Sequence, residues 1–460
     1  MEYINSHISC MTSASWSAYK SAKEEWIAHQ SGGSVVHINA VCGVTLASLA
    51  LCVLVDRQPL WWRTCVHGAV LILPLIAACT VLAERLVWLY ALLGALIGIY
   101  YLASTRAGAL CRKRNTMPAS LHGIHAADAF EPVSHAGKVT PSAVTEKPPW
   151  TPLGFLTAYR AYMMILTVIC ILAVDFSVFP RSFAKCESWG TSLMDLGVGS
   201  FVVSHGTVSI GKREWRKTAR RMLPLLVLGA VRVALVKGTE YPEHVSEYGV
   251  HWNFFITLAL VLPALDAAQR LIPPSLLTPA AFALSALYEV FLRGSPLGAW
   301  ALSDERTSDI FSLNKEGIAS LPGYLTLGLV GLDIGHVVRS GDRQRELLRR
   351  AIAWWGIYVA VQAYIEPSRR LANLPYVLWV SAFNASFVLG FSAVLEGLAA
   401  DVPPLLERIN ARSLIVFLLA NVATGVVNLS LRTMECSAPV ALGVLVVYVW
   451  STLVVLPVVY

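Results

Sequence analysis

The feature that most constrains this chain is a series of apolar stretches that recurs from residue 35 to the carboxyl end. A helix needs about 20 predominantly apolar residues to cross a bilayer, and about thirteen stretches approach that length. They lie at residues 35–55, 64–83, 86–104, 154–174, 192–209, 222–236, 251–268, 276–292, 321–338, 351–365, 375–396, 413–431 and 438–458. Only 14% of the 460 residues are charged, whereas soluble domains average about 25%. The sequence therefore predicts an all-α, polytopic membrane protein with about 13 transmembrane helices in one domain, residues 1–460.

Basic residues are concentrated in alternate loops. The loops near residues 57–63, 106–147, 212–221 and 339–350 carry most of them, and the intervening loops are richer in acidic residues. Because cytosolic loops of membrane proteins hold an excess of Lys and Arg, these loops are predicted to be cytosolic. The amino terminus is then luminal and the carboxyl terminus cytosolic. The net charge of +7 follows from this sorting and does not indicate nucleic-acid binding.

Two segments outside the apolar stretches have a different character. Residues 1–34 are polar and are predicted to form a luminal interfacial segment. Its amphipathic side chains are Trp16, Tyr19, Lys23 and Trp26. Residues 105–150 are predicted to form a flexible cytosolic loop without a core of its own. The nine cysteines are scattered without a CxxC pair or a metal-ligand spacing, so they are predicted to be small side chains packed between helices and no metal site is expected.

A cluster of charged residues stands out in the segment 174–206. Its members are Asp175, Arg181, Lys185, Glu187 and Asp195. A charge near a bilayer core costs about 2.5–3.5 kcal/mol, so we expect a reason for the cluster. Asp175 can take a proton from an alcohol, and Lys185 can stabilise a developing oxyanion if the chain turns back after Pro180. The alternative is an Asp–Lys pair that only fastens a loop to a helix end.

A second polar group lies in the predicted luminal loop 237–253. It contains Glu243, His244, Glu247, His251 and Asn253. These side chains are predicted to bind a cationic or hydroxyl-rich head group. A Glu/His cluster also suggests a divalent metal, but the spacings match no zinc motif. A solvated acidic loop is the remaining alternative.

Ionisable and amide residues also recur inside the apolar stretches. They are Asp195, Arg232, Asp266, Glu289, Asp333, Glu396, Asn421 and Asn428. Residues of this kind mark functional sites in membrane proteins, but polar pairs between helices also lock packing. Both explanations stay open for each of them.

Five segments together resemble a known family. They read DFSVFPRSFAK at 175–185, WGTSLMDLGVGS at 189–200, EHVSEYGVHWN at 243–253, NKEG at 314–317 and LANVATGVVN at 419–428. They are similar to the signature of the GPI-anchored wall transfer protein family, called phosphatidylinositol glycan class W in animals. Two positions depart from that signature. Ser182 stands where a second basic residue is expected after Arg181, and His205 stands where Asn is expected.

The resemblance implies transfer of a fatty acyl chain, usually palmitoyl, from acyl-CoA to the inositol 2-hydroxyl of glucosaminyl-phosphatidylinositol. It places the protein in the endoplasmic reticulum membrane. For the mechanism we expect a hydrophobic chamber between helices that accepts the acyl chain and the lipid tails. Acyl-CoA is implied as a co-substrate, and no further cofactor or metal is. Catalysis is assigned to Asp175 and Lys185. Substrate binding is assigned to Arg181, Glu187, Asp195, Glu243, His244, Glu247, His251, Asn253, Asn314, Glu316, Asn421 and Asn428.

Two other functional classes stay open. A secondary transporter or lipid carrier would relay protons through its intramembrane carboxylates, with ion-dependent flux and no covalent change in any lipid. A non-catalytic scaffold would hold other membrane enzymes together and show neither activity. The basic segments 212–221 and 339–350 are candidates for attracting the phosphates of CoA, and they serve equally well as topology determinants.

Overall fold

The structure is a computed structural model. It describes residues 19, 21–23, 25, 26, 28, 30–55, 63–115, 153–211, 214–238 and 245–455. This part of the chain consists of helices and connecting turns, without a β-strand. The all-α prediction is therefore confirmed.

Thirteen helices correspond one to one with the predicted apolar stretches. They are α1 (Val35–Val55), α2 (Arg63–Cys79), α3 (Leu86–Asn115), α4 (Gly154–Ala173), α5 (Leu193–Val208), α6 (Trp215–Gly238), α7 (Phe254–Leu271), α8 (Leu277–Gly294), α9 (Lys315–Val337), α10 (Arg343–Gln362), α11 (Leu374–Gly397), α12 (Ser413–Ser430) and α13 (Ala438–Trp450). A π-helical turn, Ser451–Val455, continues α13. Among the described residues, the connections also contain four short α-helices, Val245–Tyr248, Leu297–Leu302, Ile310–Leu313 and Pro404–Ala411, and four single turns of 3-10 helix.

Nine helical segments in the described part of the chain are long and apolar enough to cross a membrane. The apolar part of α2 is shorter than this length, α5 has 16 residues, and α6 and α10 begin with clusters of arginine. A polytopic membrane protein is confirmed. The number of crossings and the orientation of the termini stay predictions.

Connections between helices meet at two opposite ends of the bundle. The turn after α4 holds Asp175, and the same connection is fastened to the start of α1, where Gly33 N donates to Thr191 O at 2.7 Å. At the other end, Arg160 near the start of α4 donates to Asn410 just before α12, at 3.0 Å. We call the first of these the Asp175 end. The sequence-based topology places this end in the lumen.

Helix α9 lies at the centre of the bundle and α12 at its edge. In the most apolar 18-residue stretch of α9, 78% of the residues are buried, whereas in that of α12 only 11% are. The backbones of α5 and α9 approach closely where glycines face each other, because a Cβ on Gly206 would lie 2.4 Å from the carbonyl oxygen of Gly328. Small residues allow this kind of approach between membrane helices. The close contact holds α5 directly against the central helix.

Two of the predicted segments differ in detail from the structure. Helix α3 continues to Asn115, so the first residues of the predicted loop 105–150 are helical and residues 116–150 lie outside the described part. In the amino-terminal segment, residues 21–23 and 25–26 are helical. That segment lies against the Asp175 end, as the contacts below show.

Candidate active site

Asp175 is held by two distant parts of the chain. Helix α4 ends at Ala173, and the buried side chain of Asp175 lies in the turn that follows. Its Oδ1 accepts from Lys23 Nζ and its Oδ2 accepts from Asn428 Nδ2, both at 2.8 Å. Lys23 Nζ also donates to Asn428 Oδ1 at 2.9 Å, so the three side chains bond to one another. Bonds that involve a charged group are stronger than neutral ones, and this triangle fixes the carboxylate in orientation.

The connection between α12 and α13 closes one side of this triangle. Thr433 Oγ1 donates to Asn428 Oδ1 at 3.3 Å and lies 3.4 Å from Lys23 Nζ. Tyr19 holds the amino-terminal segment here, because its hydroxyl lies 3.4 Å from Thr433 Oγ1 and accepts from Met434 N at 3.3 Å.

Arg181 braces the turn after α4 from the other side. Its Nη2 donates to the carbonyl oxygens of Val174 at 2.8 Å and Phe179 at 3.1 Å, and its guanidinium lies 3.7 Å from the centre of the Trp26 ring. Burial lowers the pKa of Arg181 to about 10, against the opposing effect of the Asp175 charge. Nη1 is buried and has no hydrogen-bond partner among the described residues. The two N–H groups of Nη1 are therefore not used by the described part of the protein.

Lys185 does not contact Asp175, contrary to the sequence-based expectation. Its Nζ bonds to both carboxylate oxygens of Glu247, at 2.8 and 2.9 Å. The chain does turn at Arg181–Phe183, but Ala184 is extended (φ −68°, ψ 159°) and carries Lys185 toward the short helix Val245–Tyr248. The site therefore has two carboxylate–ammonium pairs, Lys23–Asp175 and Lys185–Glu247.

Asp195 forms a fully buried pair with Arg369. Arg369 Nε donates to Asp195 Oδ1 at 2.6 Å, and Oδ2 accepts from Ser192 Oγ at 2.8 Å and Cys186 N at 2.9 Å. Burial alone would lower the pKa of Arg369, but the charges of Asp195 and Glu247 outweigh it and raise that pKa above its usual range. The carboxylate of Asp195 thus fastens the start of α5 to the connection between α10 and α11.

Glu316 and Asn314 join the connections at the start of α9. Glu316 is fully buried and accepts from Arg306 at 2.6 Å and from Arg370 at 3.0 Å. Asn314 Oδ1 accepts from His251 N at 2.8 Å. These contacts fasten three connections to one another at the Asp175 end.

The remaining substrate-binding candidates occupy different positions. Asn253 caps α7, where its Oδ1 accepts from the backbone at 3.1 and 3.3 Å and its Nδ2 donates to Gly229 O at 2.9 Å. Asn421 is exposed on α12 and donates to a carbonyl of its own helix. The side chains of Glu187 and His251 are exposed at the Asp175 end. Glu243 and His244 lie outside the described residues.

Lys23 is the functional candidate that the sequence reasoning did not single out. It was predicted only as part of an interfacial helix, and no motif or periodicity relates it to Asp175. The signal available in the sequence is indirect, since a desolvated carboxylate needs a cation. Which lysine supplies that cation depends on the path of the amino-terminal segment.

Comparisons with known proteins cover nearly the whole chain. A family model described as GWT1 matches residues 19–459. A protein named GPI-anchored wall transfer protein 1 from Aspergillus oryzae is 35% identical, with 94% of this chain and 96% of that protein aligned. The protein of the same name from Aspergillus fumigatus is 37% identical over 94% of this chain and 95% of its own length. The one from Cryptococcus neoformans var. grubii is 41% identical over 64% of this chain and 60% of its length.

Proposed function

This chain belongs to the GWT1 family, and from this premise we propose that it acts in GPI-anchor biosynthesis as an acyl-CoA-dependent inositol acyltransferase. The acyl chain, usually palmitoyl, passes from acyl-CoA to the inositol 2-hydroxyl of glucosaminyl-phosphatidylinositol. The reaction takes place in the endoplasmic reticulum membrane. The names of the relatives support a role in the GPI pathway. The proposal of an acyl-transfer step rests on the resemblance of the sequence motifs.

The observation that carries the proposal is the buried carboxylate of Asp175 beside a lipid-facing helix. Asn428, which bonds to Asp175, lies near the end of α12. The outer surface of α12 is open, since Val422 is 64% and Leu429 is 84% exposed. Lipid tails can therefore lie along α12, the helix whose Asn428 bonds to Asp175. A carboxylate at such a border suits a reaction between an amphiphilic acceptor and a fatty thioester.

Asp175 acts as the general base in this proposal. It takes the proton of the inositol hydroxyl while the oxygen attacks the carbonyl carbon of the thioester. The new C–O bond forms, the C–S bond breaks, and the proton passes from Asp175 to the leaving thiolate, which gives CoA and the inositol ester. The Nη1 group of Arg181, which has no partner among the described residues, can bind a thioester or phosphate oxygen.

The second ion pair supplies the head-group part of the site. The ammonium of glucosamine can replace that of Lys185 on the Glu247 carboxylate, since both are point charges of the same kind. The exchange frees Lys185 to stabilise the oxyanion of the tetrahedral intermediate. His251, with Glu243 and His244 of the same loop, is proposed to contact the sugar hydroxyls. Asn253 positions this loop by capping α7.

The experiment mixes detergent-purified protein with palmitoyl-CoA and glucosaminyl-phosphatidylinositol and measures the mass of the lipid product. The proposal predicts a gain of one palmitoyl group that requires both substrates. If the protein shows a thermal unfolding transition, and so is folded, yet produces no acylated lipid, the proposal is overturned. Ion-dependent flux in vesicles without a mass change would then favour the transporter class.

A further inference from the structure

We propose that Lys23 positions Asp175 for proton transfer, so that the amino-terminal segment completes the active site. This segment is defined as the described residues between Tyr19 and Gly33. The inference rests on the proposed acyl transfer. It assigns to Lys23 the contact with Asp175 that the sequence had suggested for Lys185.

The contact between Lys23 and Asp175 is enclosed by the protein. The two side chains are 15% and 6% exposed, and their charged atoms lie 2.8 Å apart. Hydrogen bonds are stronger where water is excluded. Asn428 bonds to both partners, so the carboxylate has a single orientation. Lys185, in contrast, is already bonded to Glu247.

The amino-terminal segment is fastened on both sides of Lys23. Toward the amino terminus, Tyr19 bonds to the connection between α12 and α13. Toward α1, Trp26 stacks under the Arg181 guanidinium, and Thr191 exchanges two bonds of 2.7 Å with Gly33. Contacts of described residues on both sides of Lys23 therefore hold its ammonium against Asp175.

Gly32 shows how closely the segment fits. Its φ is +80°, a region that other residues avoid, and a Cβ there would lie 2.2 Å from Thr191 O. Only glycine lets the segment pass this point. The close fit is expected if the segment must hold one position relative to the turn after α4.

The chemistry gives Lys23 a role at two moments of the reaction. Before transfer, its charge-assisted bond to Oδ1 holds the carboxylate in place to receive the hydroxyl proton. Once Asp175 has accepted that proton, the ammonium has lost its counter-charge. The Lys23 ammonium then favours the charged, deprotonated form of Asp175, so Asp175 passes the proton on to the thiolate of CoA. Lys23 thus acts through Asp175 and does not need to touch either substrate.

The test measures kcat and KM for both substrates in variants purified in the same detergent, with rates expressed per folded protein. Lys23→Met keeps the length of the side chain and removes its charge, so we expect kcat to fall about 10- to 100-fold, with each KM changed less than about threefold. Lys23→Arg should recover part of the lost rate, since it restores the charge. Arg85→Met is the matched control, because it removes one positive charge from an exposed side chain in the connection between α2 and α3, at the same end of the bundle.

A double variant separates positioning from a merely structural role. If Lys23 works through Asp175, Lys23→Met combined with Asp175→Asn should be no slower than Asp175→Asn alone. If the two substitutions lowered kcat by factors that multiply in the double variant, or if Lys23→Met kept the wild-type kcat, the inference would be overturned. The proposed function would stay intact in either case. Equal losses in Arg85→Met and Lys23→Met would also overturn the inference, because the loss of any positive charge at this end of the bundle would then account for the effect. Absence of acyl transfer in the wild-type protein would instead refute the proposed function on which the inference rests.

Discussion

At the scale of single residues, Asp195 and Arg369 show what buried charges contribute to this protein. Their side chains are 0% and 2% exposed, and they lie 2.6 Å apart. Removing one member of such a pair leaves an uncompensated charge in a region without water. The same reasoning applies to Glu316, which is shared by two arginines.

Arg369→Gln is expected to lower the free energy of unfolding by about 3–5 kcal/mol, because Asp195 is left as a buried, unpaired carboxylate. The thermal unfolding midpoint in detergent measures this loss. Adding Asp195→Asn should recover part of the stability by removing the orphaned charge. An Arg369→Gln protein as stable as the wild type would contradict the structural role of the pair.

Glu247→Gln tests the head-group assignment. The amide can no longer pair with an ammonium, so KM for glucosaminyl-phosphatidylinositol should rise about tenfold while KM for acyl-CoA stays unchanged. An N-acetylated acceptor serves as the control, since it carries no ammonium and its KM should not respond to the substitution. Equal KM values for the natural acceptor in both proteins would exclude Glu247 from this role.

At the scale of elements, hydropathy predicted where helices lie and gave little information on how they touch. Each predicted stretch contains a helix because the bilayer requires about 20 apolar residues with satisfied backbones. The contact between α5 and α9 depends instead on Gly206 and Gly331, which look in sequence like any other glycine. The partner of Asp175 was not predictable for a related reason, since residues 23 and 175 share no pattern.

The close approach of α5 and α9 makes a definite prediction. A Cβ on Gly331 would lie 2.3 Å from the carbonyl oxygen of Val203, and backbone atoms cannot give way as side chains do. Gly331→Ala should therefore lower the free energy of unfolding by about 1–3 kcal/mol. Gly356→Ala on α10 is the control, since nothing lies within 4 Å of its added Cβ. Equal thermal midpoints for the two variants would show that the helices are not packed in this way.

At the scale of the whole molecule, successive connections lie alternately at the two ends of the bundle. The excess of basic residues in the loops of one end predicts that this end is cytosolic. Asp175 and Asn428 were singled out in the sequence because polar residues bordering apolar stretches are costly. Asp175 follows α4 and Asn428 lies near the end of α12, so helices that alternate in direction place both residues at the same end of the bundle. The direct Asp175–Lys185 contact was not found, because the chain extends after residue 183 and Glu247 receives the lysine.

The orientation can be tested with two single substitutions that each create the Asn-X-Thr glycosylation pattern, which is used only on the luminal side. Glu305→Asn does so with Thr307 in the exposed connection at the Asp175 end. Arg216→Asn does so with Thr218 at the opposite end. The first should be glycosylated and the second should not. Glycosylation of Arg216→Asn alone would reverse the predicted topology.

The most direct test of the account compares single-turnover acyl transfer by Asp175→Asn and Asp401→Asn. Both substitutions remove one carboxylate, but Asp401 is exposed between α11 and α12 at the opposite end of the bundle. A general base contributes about 10²–10⁴-fold, so Asp175→Asn should transfer palmitate at least about a hundredfold more slowly, while Asp401→Asn matches the wild type. Wild-type transfer by a folded Asp175→Asn protein would contradict the assignment of Asp175 as the catalytic base.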